Sequence, residues 1–173
     1  MKNILFALTL IFTLGSYGQT IFEVSRNGDL EKLKELYASD NAIINTADSK
    51  GFTPLILAAY NEQTEIVTYL IEKGSDVNAK DLSGNTALMG VCFKGYFDIA
   101  KILVENGTAI NQQNYNGATA LIYVSTFGHT KIAELLLNND ANQSLQDGRG
   151  NTALNHAEMQ GNEEIIQLLK SEQ

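Results

Sequence analysis

The chain has 173 residues, a formal charge of −8, 44% apolar residues, one proline and one cysteine. The apolar share supports one folded domain with a sizeable core and excludes a disordered chain. The excess of acid sets the chain against phosphate backbones and anionic membrane surfaces, so nucleic acid is not an expected partner, and a lone cysteine excludes an internal disulfide.

Residues 1–18 stand apart. Lys2 opens them, Ile4 to Leu14 run apolar except for two threonines, and Gly15-Ser16-Tyr17-Gly18 follows without charge. This is the three-part layout of a cleavable signal peptide, and an apolar run of about 11 residues falls short of the roughly 20 that span a bilayer. Ser16 and Gly18 put the expected cleavage after Gly18. The mature chain, residues 19–173, is then expected in the periplasm or outside the cell, with no membrane insertion. Losing the leader removes Lys2 and no acid, which moves the formal charge from −8 to −9. Basic protein surfaces fit that charge as partners.

Residues 20–47 read as a first helical repeat and residues 48–80 as a second, more regular one. In the second, Asp48-Ser49-Lys50-Gly51 forms a turn, Thr53 caps a short helix, and Pro54 suits that helix's first position. Leu55, Ala58 and Ala59 give the helix a small apolar face, and Asn61-Glu62-Gln63 turns the chain. A second helix carries Ile66, Val67, Leu70 and Ile71 on one stripe, and Gly74 ends it. The same plan recurs over 81–113 and 114–146, and in shortened form over 147–173.

The period is strict. Gly51, Gly84, Gly117 and Gly150 recur at one constant interval, as do Thr53, Thr86, Thr119 and Thr152, and Leu55, Leu88, Leu121 and Leu154. Ile66, Ile99, Ile132 and Ile165, then Leu70, Leu103, Leu136 and Leu169, keep the same register. Gly51-Phe52-Thr53-Pro54-Leu55 with Ala58-Ala59, and Gly74-Ser75-Asp76-Val77-Asn78, resemble the ankyrin repeat. The interval from Gly51 to Gly84 equals that family's own period. The resemblance covers residues 20–173. It implies an all-α ankyrin-repeat solenoid of about five helix-turn-helix repeats, with the first and last serving as caps. The first repeat departs from the pattern by lacking the Gly-Thr-Leu turn and holding one extra residue between Leu36 and Asn45. Glu163 and Glu164 make the last one polar. The family's usual histidine is replaced by Ile56, Met89, Ile122 and Asn155, so packing is expected to replace the hydrogen bonds it makes between repeats.

Little in this pattern points to chemistry, and no enzymatic activity is expected. His129 and His156 are the only histidines, and no His or Cys spacing suits a metal or a cofactor. His129 lies in an inter-helix turn, where the ankyrin resemblance implies a structural role. Cys92 shares a column with Ala59 and Ser125, which reads as a buried, inert thiol. The repeats are uniform in length, leaving no insertion to carry an active site.

The resemblance implies instead that a partner protein binds the first helices and the turn tips. On those columns Leu57, Tyr60, Phe93, Lys94, Tyr123 and Phe127 occupy the helices, with Phe52 and Tyr115 at the tips. Aromatic anchors favour protein interfaces. The leading expectation is a monomeric, non-catalytic binding module for an unidentified protein. An inhibitor or immunity-type protein that masks an enzyme, and a passive self-associating envelope protein, are the alternatives.

Overall fold

A computed structural model describes residues 21–171, and the expected leader with its cleavage point lies outside them. Among the described residues all regular structure is helical. The chain forms two compact units that divide after Asp76.

In the N-terminal unit, residues 21–27 (α1) and Leu30–Ser39 (α2) precede a 3₁₀ turn, Asn41–Asn45, and the helices Pro54–Tyr60 (α3) and Thr64–Glu72 (α4). The extra residue of the first repeat is taken up by that 3₁₀ turn. Asp40 ends α2, and its side chain accepts from Ala42 N at 3.0 Å to start the turn. The turn drives Ile43 and Ile44 into the core with Leu33, Leu36, Leu55, Ile66 and Leu70.

In the C-terminal unit, Ala87–Lys94 (α5), Ala120–Phe127 (α7) and Ala153–Gln160 (α9) pack side by side as an inner layer. Phe97–Glu105 (α6), Thr130–Leu137 (α8) and Glu163–Ser171 (α10) pack behind them, each against its own partner and its neighbours. The periodic leucines and isoleucines explain both layers. Leu88, Ile99, Leu103, Ile132, Leu136 and Ile165 are fully buried, each contributing about 1.5–3 kcal/mol from apolar burial.

Capping follows the threonine column. Thr53, Thr86, Thr119 and Thr152 accept from the amides of Ile56, Met89, Ile122 and Asn155 at 3.2–3.4 Å, a bond worth about 1 kcal/mol per helix. At Thr152 the cap is reciprocal, because Asn155 Oδ1 accepts from Thr152 N at 3.0 Å.

Packing does not join the repeats alone, contrary to the expectation from the missing histidines. Asn45, Asn78 and Asn111 recur on the same period as the glycines, and each bonds to the loop of the following repeat. Asn45 Oδ1 accepts from Asp76 N at 2.9 Å, Asn78 Oδ1 from Ala109 N at 2.7 Å, and Asn111 Oδ1 from Asn142 N at 2.7 Å. Asn162 adds another link, donating from Nδ2 to the carbonyls of Ser125 and Thr126. An amide side chain both donates and accepts, so it satisfies two backbone groups where the loops would otherwise leave them to water.

Candidate binding surface

The surface is built on the turn tips. Asp48, Asp81, Asn114 and Asp147 form another column on that period, and each uses Oδ1 to accept from the amides two and four residues on, at 2.8–3.0 Å. This side-chain mimic of a backbone turn fixes every tip, and the following glycine supplies the positive φ it needs. In the C-terminal unit the tips also bond to one another. Tyr115 N donates to Ser83 O at 3.1 Å and Gly148 N to Asn116 O at 2.7 Å. Gly84 lets this happen: a Cβ there would lie 2.9 Å from both the Tyr115 ring and its backbone nitrogen.

Each polar residue nine positions after the tip column bonds back to its own tip. Asn114 Nδ2 donates to Tyr123 Oη at 3.2 Å and to Asn85 Oδ1 at 2.8 Å, and Tyr123 Oη donates to Asn85 Oδ1 at 3.3 Å. One repeat later, His156 Nε2 meets Asp147 Oδ2 at 2.8 Å. Burial pushes the Asp147 carboxyl up, but bonds from Asn151 N, the His156 ring and Arg149 N outweigh it and hold the group below the usual carboxylate range. Burial pushes the Tyr123 phenol up, the bond to Asn114 opposes this, and the charge of Asp81 adds to the rise.

Between the tips at 114–118 and 147–149 lies a groove of about 590 Å³, floored by Ile122, Tyr123 and Thr126 and flanked by Tyr115, Phe127 and Arg149. Beside it Phe93 meets Phe127 edge-on at 4.8 Å between ring centres and Tyr123 at 6.4 Å. His129 lies nearly parallel to Phe127 at 6.5 Å. It also covers Gly95, where a Cβ would fall 2.6 Å from the imidazole.

Phe93, Tyr123 and Phe127 are thus brought together, and Tyr115 stands at the groove's edge. Tyr115 is 73% exposed, Phe127 47% and Phe93 38%. Lys94 is exposed at the end of α5. In the N-terminal unit Tyr60 ends α3 at 42% exposure and Phe52 is half-buried on its turn. Leu57 departs from the expectation: it is 5% exposed and belongs to the core. It occupies the column from which Tyr123 and His156 bond back to their tips, and an apolar residue there stays covered. Asn114 and Asp147 are among the groove residues that sequence reasoning missed. Their signal was the repeated offset of nine to Tyr123 and His156.

The arrangement offers recognition more than chemistry. His156 Nε2 is committed to Asp147, Tyr123 Oη to Asn85, and Thr126 Oγ1 to the Ile122 carbonyl at 2.8 Å. Cys92 is fully buried, which pushes its thiol up and away from the reactive thiolate. Among the described residues no group of three or more His, Cys, Asp or Glu side chains is placed to hold a metal. No described helix is long and apolar enough to cross a membrane.

The family model for ankyrin repeats (three copies) matches residues 21–114 and 88–173. The chain belongs to the ankyrin-repeat family. Ankyrin repeats are protein–protein interaction modules, and as a family they are generally non-catalytic. The chain is 37% identical over 57 residues to the DNA-binding protein RFXANK of Homo sapiens, covering 33% of this chain and 22% of that one. It is 35% identical over 60 residues to palmitoyltransferase akr1 of Emericella nidulans, covering 35% of this chain and 8% of that one. It is 33% identical over 57 residues to ankyrin repeat and SAM domain-containing protein 6 of Danio rerio, covering 33% and 8%. This ankyrin-repeat chain therefore spans about a fifth or less of the length of these relatives.

Proposed function

We propose that this ankyrin-repeat chain is a monomeric, non-catalytic binding protein that captures a partner protein on the groove and aromatic residues of its C-terminal unit. The observation that carries this reading is the exposure of Tyr115 and Phe127 on one groove, with Phe93 partly exposed against Phe127 beside it. Three large rings left in water cost burial energy that a partner would recover, at about 25 cal/mol per Å² of apolar surface covered. The tips are rigidly bonded, so little ordering entropy opposes binding. The signal-like residues 1–18 support action in the periplasm or outside the cell.

The test is capture from envelope and culture fractions with the protein expressed from its full chain. A Phe93→Ala/Tyr115→Ala/Phe127→Ala variant, shown folded by its thermal midpoint, serves as the comparison. One protein retained in a one-to-one complex by the native surface and lost with the variant is expected. Equal capture by both would overturn the reading. So would self-association with no captured protein.

A further inference from the structure

We infer that the groove of the C-terminal unit takes an acidic segment of its partner, placing an apolar side chain against Ile122 and Phe127 and a carboxylate on Arg149. This rests on the binding reading above and names the chemistry of the partner.

The chain's net charge argues for a basic partner, but the charges are not spread evenly. In the C-terminal unit Asp98, Glu105, Glu134, Asp140, Glu163 and Glu164 all lie on α6, α8 and α10 or the turn after α8. Those helices form the outer layer. The acids of the inner layer and its tips are already engaged: Asp81 and Asp147 hold turn amides, and Glu158 pairs with Lys170 at 3.2 Å. Lys94 and Arg149 are the cations of that layer and its tips.

Distance decides which charges the groove feels. Packed helix axes lie about 8–10 Å apart, and the screening length at physiological salt is about 8 Å. The outer acids sit at least one helix layer behind the groove and are largely screened there. Arg149 stands on its edge, exposed, and makes no salt bridge among the described residues. Asp147, which also lines the groove, has both oxygens engaged, Oδ2 by the His156 ring at 2.8 Å and Oδ1 by the amides of Arg149 and Asn151 at 2.9 Å. An incoming carboxylate therefore meets a guanidinium without an ion-pair partner among the described residues, with a planar fork suited to it. An incoming ammonium meets repulsion. The half-exposed ring of Phe127 supplies the apolar contact beside it.

The experiment titrates the protein, by fluorescence anisotropy at physiological salt, with two labelled octapeptides. One carries a central Phe flanked by two Asp, and its twin carries Lys in place of each Asp. The acidic peptide is expected to bind about tenfold tighter, and the preference to shrink with added salt. Arg149→Glu is expected to abolish or invert it, Arg149→Lys to keep it, and Phe127→Ala to weaken both peptides. Binding of the basic twin as tight as the acidic one, a preference unmoved by Arg149→Glu, or no binding by either peptide would overturn the inference. Partner capture lost with the triple variant but indifferent to Arg149→Glu would remove this inference and leave the binding reading standing. Failure of both experiments would remove both.

Discussion

Glu62 adopts φ +61° in the slot that Gly95, Gly128 and Gly161 fill in the later repeats. Asp140 adopts φ +63° in the slot of Gly74 and Gly107. The left-handed conformation costs an L-residue about 1–2 kcal/mol, and aspartate is better suited to it than glutamate because its short side chain bonds locally. Replacing glutamate by glycine also frees the unfolded chain, which costs about 0.4–1 kcal/mol. The strain is the larger of the two at Glu62, so Glu62→Gly is expected to stabilise by about 0.5 kcal/mol, whereas Asp140→Gly is expected to be near neutral. Urea unfolding of both variants measures this, and a destabilised Glu62→Gly would show that the turn carries no strain to relieve.

At the scale of the element, the turn at 147–151 is the one tip where the organising residue also holds an imidazole. Asp147 has a folded pKa below its ordinary value despite its burial, so folding favours the ionised carboxylate. Its contribution is fully present above the unfolded aspartate pKa of about 3.9 and is lost as pH falls through the folded value. Asn114 shows that an amide supports the same turn, accepting from Asn116 N and Ala118 N at 2.9 Å. Asp147→Asn is therefore expected to fold normally, to lose some stability at neutral pH, and to lose less than the native chain between about pH 4 and pH 2. Thermal midpoints across that range measure it, and parallel profiles for the two proteins would remove Asp147 as the source. The helices, their threonine caps and their glycine stops were legible in the sequence because one geometry recurs in every repeat and only certain residue types satisfy it. The asparagine links and the burial of Leu57 were not. The links depend on how far one loop reaches towards the next, and the burial of Leu57 on what covers α3, and periodicity carries no information about either. The aromatic residues were readable as a face of the first helices, but the groove beside them arises from the tips at 114 and 147, which bond to residues nine positions away.

For the molecule as a whole, local repetition supplies the stability that a disulfide supplies elsewhere, and Cys92 reports on it. The thiol sits in a column of small residues, Ala59, Cys92 and Ser125, that are all fully buried. A repeat array is held by interfaces between neighbours, so a buried group in a middle repeat becomes accessible only when those interfaces open. Desolvation raises the thiol's pKa as well, which leaves little thiolate while the site is closed; opening removes both protections together. Cys92 is thus expected to resist a thiol reagent in the native protein and to react within the mixing time once unfolded. Across a urea series its labelled fraction should follow the loss of helical signal measured on the same samples. Rapid labelling without urea would place the thiol at a solvent-accessible site, reopen the case for a nucleophile, and undercut the non-catalytic reading. Labelling at a lower midpoint than the helical signal would instead show that the C-terminal unit opens as a separate, weaker body.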